Sequence, residues 1–189
     1  MSITYLDISK NIYANTLIDK CKSDSHINGV ELRNVHYRLG CMLAHQIAVD
    51  LNNRAVTVII IMRAGLCFGM GISNELENIG IKPQILFYFD NNQWEKEKSN
   101  CLQALNNDIL IVDSVINSGN SIIKFAQGIL NNQKILFATN VISENALKKF
   151  YDRNIYAVRK SNHSFIGSKN NIVINNNGPD TGDRLFNTK

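Results

Sequence analysis

Apolar positions along this chain change period from segment to segment. Val35, Leu39, Met42, Leu43, Ile47 and Leu51 recur at helical spacing. That predicts a helix from about Leu32, ended by Asn52-Asn53. Val56 to Met62 is a continuous, largely β-branched run, the pattern of a strand buried on both faces. Leu66 to Leu76 then reads as a helix, and Gln84 to Phe89 as a strand after Pro83. Further strands are predicted over Asp108–Val112, Ile135–Ile142 and Ile155–Val158, with a short helix over Asn145–Tyr151 and a candidate last strand at Ile172–Ile174. Strands alternating with helices predict an α/β fold: a central parallel sheet flanked by helices. Ligands in such folds bind beyond the carboxyl ends of the strands, at a topological switch point. Arg63 and Asp113 both stand at predicted carboxyl ends, so one crevice can hold both.

Length and composition narrow the class. A chain of 189 residues reads as one domain over 1–189, with ample length for a core. No run of about 18 apolar residues predicts a membrane helix, and the first residues lack the basic and apolar regions of a signal peptide. A cytoplasmic protein is the expectation. The net charge of +4 is spread along the chain, which argues against nucleic acid as a partner. Cys21, Cys41, Cys67 and Cys101 have no metal-ligand spacing, so reduced, mostly structural thiols are expected. Cys67 falls at a predicted helix start, where a thiol pKa can fall. None of the four histidines has metal spacing, and His36 and His45 read as helix-face residues. Asp90 to Asn107 is a long polar connection around Trp94, long enough for a flap over a site or a plain solvated hairpin.

The richest segment is Asp108-Ile-Leu-Ile-Val-Asp113-Ser-Val-Ile-Asn117-Ser118-Gly119-Asn120-Ser121. A buried strand ends in an acid, a loop of small and polar residues follows, and Ile122 to Leu130 continue at helical spacing. Strand, small-residue loop and helix N-terminus form an anion cradle, because backbone N–H groups and the helix dipole both favour negative charge. The acid beside it suits hydroxyls or a metal next to a phosphate. Arg63-Ala64-Gly65 likewise joins a strand to a helix. Gly65 permits close approach, and Arg63 offers a planar donor fork to phosphate oxygens. Gly69-Met70-Gly71 mimics a dinucleotide fingerprint only loosely, since its glycines fall inside a helix pattern.

The Asp113 segment resembles the phosphoribosyl-diphosphate (PRPP) loop of type I phosphoribosyltransferases. Arg63-Ala64-Gly65-Leu66 and the ending Pro179-Asp180-Thr181-Gly182-Asp183-Arg184-Leu185-Phe186-Asn187-Thr188 narrow the resemblance to uracil phosphoribosyltransferases, from about Val35 to the C-terminus. The resemblance implies a C-terminal base-binding hood on the α/β core and transfer of phosphoribosyl from PRPP to uracil, giving UMP and pyrophosphate. It implies that Arg63, Ala64, Gly65, Asp113, Asn117, Ser118, Gly119, Asn120 and Ser121 bind PRPP. Ile174, Pro179, Asp180, Thr181 and Gly182 would bind a pyrimidine-like base. Asp113, Asp183 and Arg63 would carry catalysis, with Asp183 touching Mg²⁺ through water. The family is commonly dimeric or a higher homo-oligomer.

Departures from the family pattern concentrate at the base loop. Val173-Ile174-Asn175-Asn176-Asn177-Gly178-Pro179 replaces Tyr-Ile-Val-Pro-Gly-Leu-Gly, Thr181 replaces an alanine, and Ile18-Asp19 stands for Arg-Asp. Asn120 replaces a glycine, which a positive φ would tolerate. Three readings stay open: a uracil enzyme, a related transferase for another base, and a non-catalytic homologue that binds PRPP or a nucleotide.

Overall fold

The computed structural model of the chain describes residues 2–10, 12–51, 55–89, 94, 108–129, 134–162, 166–168, 174 and 177–188. Six strands form one sheet: β1 (Ser2–Tyr5), β2 (Ala55–Ile61), β3 (Lys82–Tyr88), β4 (Asp108–Ile116), β5 (Ile135–Ser143) and β6 (Asn154–Ser161). Their order is β1-β6-β5-β4-β2-β3, and every neighbouring pair is parallel. The predicted α/β architecture is therefore present. The chain after β2 runs outward to β3 and then returns to β4 on the other side of β2, so the switch point lies between β2 and β4. Arg63 follows one of those strands and Asp113 lies on the other.

Alternation along the central strands sorts their side chains onto two cores. Val58, Ile60, Leu110, Val112, Leu136 and Ala138 face α1 (Ala14–Cys21), α2 (Gly29–Asp50) and α3 (Gly65–Asn78), where Leu39, Leu43, Ile47, Phe68 and Ile72 are fully buried. Ile59, Ile109, Ile111 and Phe137 face the opposite layer with Phe125 of α4 (Asn120–Gln127) and Phe150, which ends the 3₁₀ turn Lys148–Phe150 after α5 (Glu144–Leu147). Both faces of β2 and β4 are covered, which is why those strands read as unbroken apolar runs.

Helices α2 and α3 cross in direct contact through glycine. A Cβ on Gly40 would lie 2.2 Å from the Phe68 carbonyl oxygen, and one on Gly71 would lie 2.1 Å from that of Tyr37. Gly71 thus serves helix packing, Gly69 seats α3 on Ile60 of β2, and the dinucleotide reading fails. No helix among the described residues is long and apolar enough to cross a membrane.

Several boundaries differ from those predicted. Helix α2 begins at Gly29, before Leu32, and stops at Asp50; Asn52-Asn53 lie outside the described residues. Strand β4 continues to Ile116, so Asp113 sits inside the strand, held by pairing with Thr139 of β5. Strand β6 reaches Ser161, well past Val158, and the predicted helix over Asn145–Tyr151 is shorter, with a 3₁₀ turn as its second half. The pattern also left out β1, α1 and the C-terminal elements β7 (Ile166–Ser168), β8 (Asn177–Pro179) and α6 (Thr181–Phe186). The candidate strand at Ile172–Ile174 lies outside the described residues except for Ile174, an isolated antiparallel bridge to Asn177. The long polar connection from Asp90 to Asn107, read as a flap or a solvated hairpin, likewise lies outside them except for Trp94, which is buried against Tyr88 and Phe125.

Candidate active site

The carboxyl ends of β2, β4, β5 and β6 open into one crevice of about 670 Å³. Arg63 and Ala64 line it from the β2–α3 turn, and Asp113 to Asn117 border it from β4, Ser114 excepted. Asn140 and Arg159 line it from β5 and β6. Pro179, Asp180, Thr181 and Gly182 close the opposite wall, with Cys21 to Asp24 beyond α1.

Asp113 is the buried acid of this crevice. The residue is partly exposed and lines the crevice, and the protein packed around its carboxyl pushes its pKa up to about 7. The amides of Val115 and Ser114 pull it back down, and the nearby Asp180 carboxylate raises it further. An acid poised near neutrality beside a second carboxylate is an electrostatic signature of functional sites.

The loop after β4 has the predicted shape with one change of roles. Gly119, not Asn120, takes the left-handed conformation (φ 71°) and caps α4. Asn120 and Ser121 belong to the first helical turn. Only Gly119 needs glycine's freedom at positive φ, so asparagine at position 120 is unstrained. Lys149, which sequence patterning passed over, reaches the loop from the 3₁₀ turn after α5. Its Nζ donates to the Ser118 carbonyl at 2.9 Å and to Asn120 Oδ1 at 2.6 Å. Ser143 Oγ donates to the Asn117 carbonyl. A cation therefore stands beside the amides of the cradle.

The β2–α3 turn is tied to two other elements. Ser114 Oγ donates to the Ala64 carbonyl at 2.8 Å and lies 3.1 Å from His36 Nδ1 on α2. Because the hydroxyl proton goes to Ala64, the network assigns the other role to His36: its Nδ1–H donates to Ser114 Oγ. His36 is 1% exposed, and burial, with Arg184 and Arg159 nearby, lowers its pKa to about 3. It is a neutral interior donor, not the helix-face residue that its position on α2 suggested. Gly65 also differs from expectation. It is buried, and a Cβ there would lie 3.0 Å from the Val112 carbonyl oxygen, so it serves close seating of α3 on β4.

Arg63 spans the mouth of the site. Its Nη2 donates to Asp183 Oδ1 at 2.9 Å, its Nη1 donates to Thr188 Oγ1 at 2.7 Å, and Thr188 Oγ1 donates to Asp183 Oδ1 at 2.8 Å. Gly182 lies under this guanidinium; a Cβ there would be 3.6 Å from Nη2. Asp180 caps α6 by accepting from the Asp183 amide at 3.0 Å. Arg184, buried, stitches α6 to the segment after α1 through Asn28 Oδ1, Ser25 Oγ and the carbonyls of Cys21, Lys22 and Ile27. Asn187 follows the last residue of α6. It adopts φ 53° at the end of α6, a region asparagine enters more readily than most residues.

Of the predicted base-binding residues, Pro179, Asp180, Thr181 and Gly182 line the crevice. Ile174 does not; it is 47% exposed, because its bridge to Asn177 turns it outward. Cys67 also departs from expectation. Partial burial raises its pKa, and Arg33 only partly offsets this. Arg159 and Asn140 were missed. The only signal in the sequence was a charged residue ending an apolar strand at Val158-Arg159.

Comparison with known proteins agrees with this geometry. The fold is similar to the AQ2163 protein from Aquifex aeolicus, with a TM-score of 0.69 and 17% identity over 99% of each chain. It is also similar to the HGPRT-ase from Leishmania tarentolae in complex with GMP, with a TM-score of 0.55 and 12% identity over 76% of this chain and 84% of that one. At these identities both likenesses concern the fold. No curated protein matches the chain in sequence. The model of the uracil phosphoribosyltransferase family matches residues 35–188, a span that includes the β2–α3 turn, the β4–α4 loop and the C-terminal wall, and the chain therefore belongs to the uracil phosphoribosyltransferase family.

Proposed function

We propose that this chain is a phosphoribosyltransferase that moves phosphoribosyl from PRPP to a uracil-like base and releases pyrophosphate. The observation that carries the reading is convergence. Asp113, Asn117 at the start of the amide cradle, Arg63 and the Asp180–Gly182 wall border one crevice, with Asp183 held to Arg63, although they come from distant parts of the chain. The cradle, with Lys149 beside it, takes the 5′-phosphate. Asp113 accepts from the ribose hydroxyls. Arg63 turns from Asp183 to the diphosphate, whose oxygens match its planar fork.

Catalysis then rests on positioning and on charge placed where charge develops. The anomeric C–O bond breaks first, and its electron pair leaves with pyrophosphate under Arg63. The ring carbon becomes oxocarbenium-like, a base nitrogen supplies the new C–N bond, and the nitrogen's proton is lost to water. Asp183 would touch Mg²⁺ through water, which suits an ion that takes few protein ligands, since among the described residues no group of three or more His, Cys, Asp or Glu could hold a metal by itself. When bound, the metal supplies charge neutralisation on the leaving group.

Pyrophosphate release from PRPP and magnesium, measured with a panel of bases, tests the reading. Turnover with a pyrimidine is expected. Calorimetry that shows no PRPP binding in the presence of magnesium would overturn it.

A further inference from the structure

Two arginines stand near Cys21, a residue that lines the crevice, and they differ in one respect. Arg184 spends its guanidinium on carbonyls, a hydroxyl and an amide oxygen. Arg159 is also largely withdrawn from water, yet its Nε is enclosed and has no hydrogen-bond partner among the described residues. Asp24 and Asp19 act on Arg159 only through space, and no carboxylate among the described residues is paired with it. Beside it, Asn140 is 2% exposed. Its side chain stands beside the Cys21 thiol, and its Oδ1 is buried and has no partner among the described residues. Buried polar groups are almost always satisfied, so two neighbouring exceptions on one wall of a crevice call for a ligand.

Their place fits the acceptor. Asp113 pairs with Thr139 on β5, Asn140 is the next residue, and Val141 pairs with Arg159 on β6. Two strand spacings across the sheet and two residues along β6 separate Asp113 from Arg159, roughly 12 Å, a span that a ribose, a six-membered ring and the arginine side chain can bridge. Thr181 and Gly182 line the same crevice.

We propose that Arg159 and Asn140 form an acceptor subsite selective for an acidic ring, a planar heterocycle that carries an anionic oxygen substituent and a ring N–H apart from the nitrogen that forms the new bond. The guanidinium takes the anionic oxygen, and Asn140 Oδ1 accepts from that N–H. This inference rests on the transferase reading and specifies its substrate class. A neutral dioxopyrimidine offers the N–H and a carbonyl but leaves the arginine's charge uncompensated.

Calorimetry with uracil and uracil-6-carboxylate on the full chain tests it, using the native protein, Arg159→Met, Arg159→Lys and Asn140→Leu. The native chain should bind the carboxylated ring at least about tenfold more tightly than uracil, the scale of one charge-assisted hydrogen bond. Arg159→Met should abolish that preference, Arg159→Lys should keep part of it, and Asn140→Leu should weaken both rings. Arg159→Met should also melt no lower than the native chain, since it gives up no hydrogen bond and relieves an uncompensated charge; a structural arginine would behave in the opposite way. If the methionine variant does not fold, the preference in Arg159→Lys decides. A native chain that binds uracil as well or better, or binds neither ring, overturns the inference, as does a preference that survives substitution. PRPP titrated into the same proteins reports separately. PRPP heat without ring preference removes the subsite and leaves the transferase, whereas absence of PRPP heat counts against the transferase itself.

Discussion

Arg63 and Asp183, 120 positions apart, meet at 2.9 Å across the mouth of the crevice. The contact joins the β2–α3 turn to the C-terminal wall. Both partners are substantially exposed, so the pair contributes little to stability and can be exchanged for a ligand. In the proposed reaction the diphosphate replaces Asp183 as the arginine's partner. Arg63→Lys keeps the charge but loses the fork, and turnover should fall about tenfold or more. Steady-state pyrophosphate release on the folded variant checks this; unchanged turnover would reduce Arg63 to a structural tie.

Asp113 should give stability a pH slope. Its folded pKa of about 7 lies above the ordinary 3.8, so the folded chain holds a proton that the unfolded chain sheds. Between about pH 4 and pH 7 stability therefore falls as pH rises. Asp113→Asn should remove that contribution, melting higher than the native protein at pH 8 and about the same at pH 4. The same variant should bind PRPP more weakly. Thermal melts at both pH values and PRPP calorimetry read the two effects; a lower melting temperature at pH 8 would contradict the burial argument.

His36 works in the opposite direction. Its pKa is lowered from 6.5 to about 3, so below about pH 6.5 the unfolded chain takes up a proton that the folded chain refuses. Stability is lost as pH falls through that window. His36→Leu should flatten this acid-side slope. It should also raise the KM for PRPP severalfold, because Ser114 loses the donor that orients it toward Ala64. A native-like acid melting profile in the variant would show that His36 is not the group responsible.

Lys149 offers a simpler test of the cradle. Its two contacts to the loop are exposed, so Lys149→Ala should fold normally and raise the KM for PRPP roughly threefold to tenfold, the range of an exposed charged hydrogen bond. Unchanged KM values would place the 5′-phosphate elsewhere.

Thr181 stands in the wall where the family pattern has alanine, and it lines the crevice. A hydroxyl that the right ring satisfies is left unpaired by the wrong one, at a cost of roughly 1–3 kcal/mol. Thr181→Ala should therefore shift relative kcat/KM values toward uracil. If the native chain already uses uracil efficiently and the substitution leaves the ranking of bases unchanged, Thr181 has no part in selecting the base.

The alternation of apolar runs was enough to read the parallel sheet, because central strands covered on both faces carry runs dominated by β-branched residues, as Val56 to Ile60 and Ile109 to Val112 do. The Asp113 loop and the Arg63 turn were legible for a related reason: a strand, a tight turn and a helix start leave local signatures in residue type. Contacts between distant segments leave none. Nothing near Arg63 in sequence announces Asp183, and nothing near Ala64 announces Ser114 and His36. The neutral state of His36 and the raised pKa of Asp113 come from burial and from neighbours that only folding supplies. The contrast between Arg184 and Arg159 is of the same kind. Both are arginines beside apolar residues in the sequence, and only the tertiary arrangement gives one a full set of acceptors and leaves the other without a partner for its Nε among the described residues. Hydrophobic period is a local property of the chain, whereas hydrogen-bond satisfaction and dielectric environment depend on which distant segments meet.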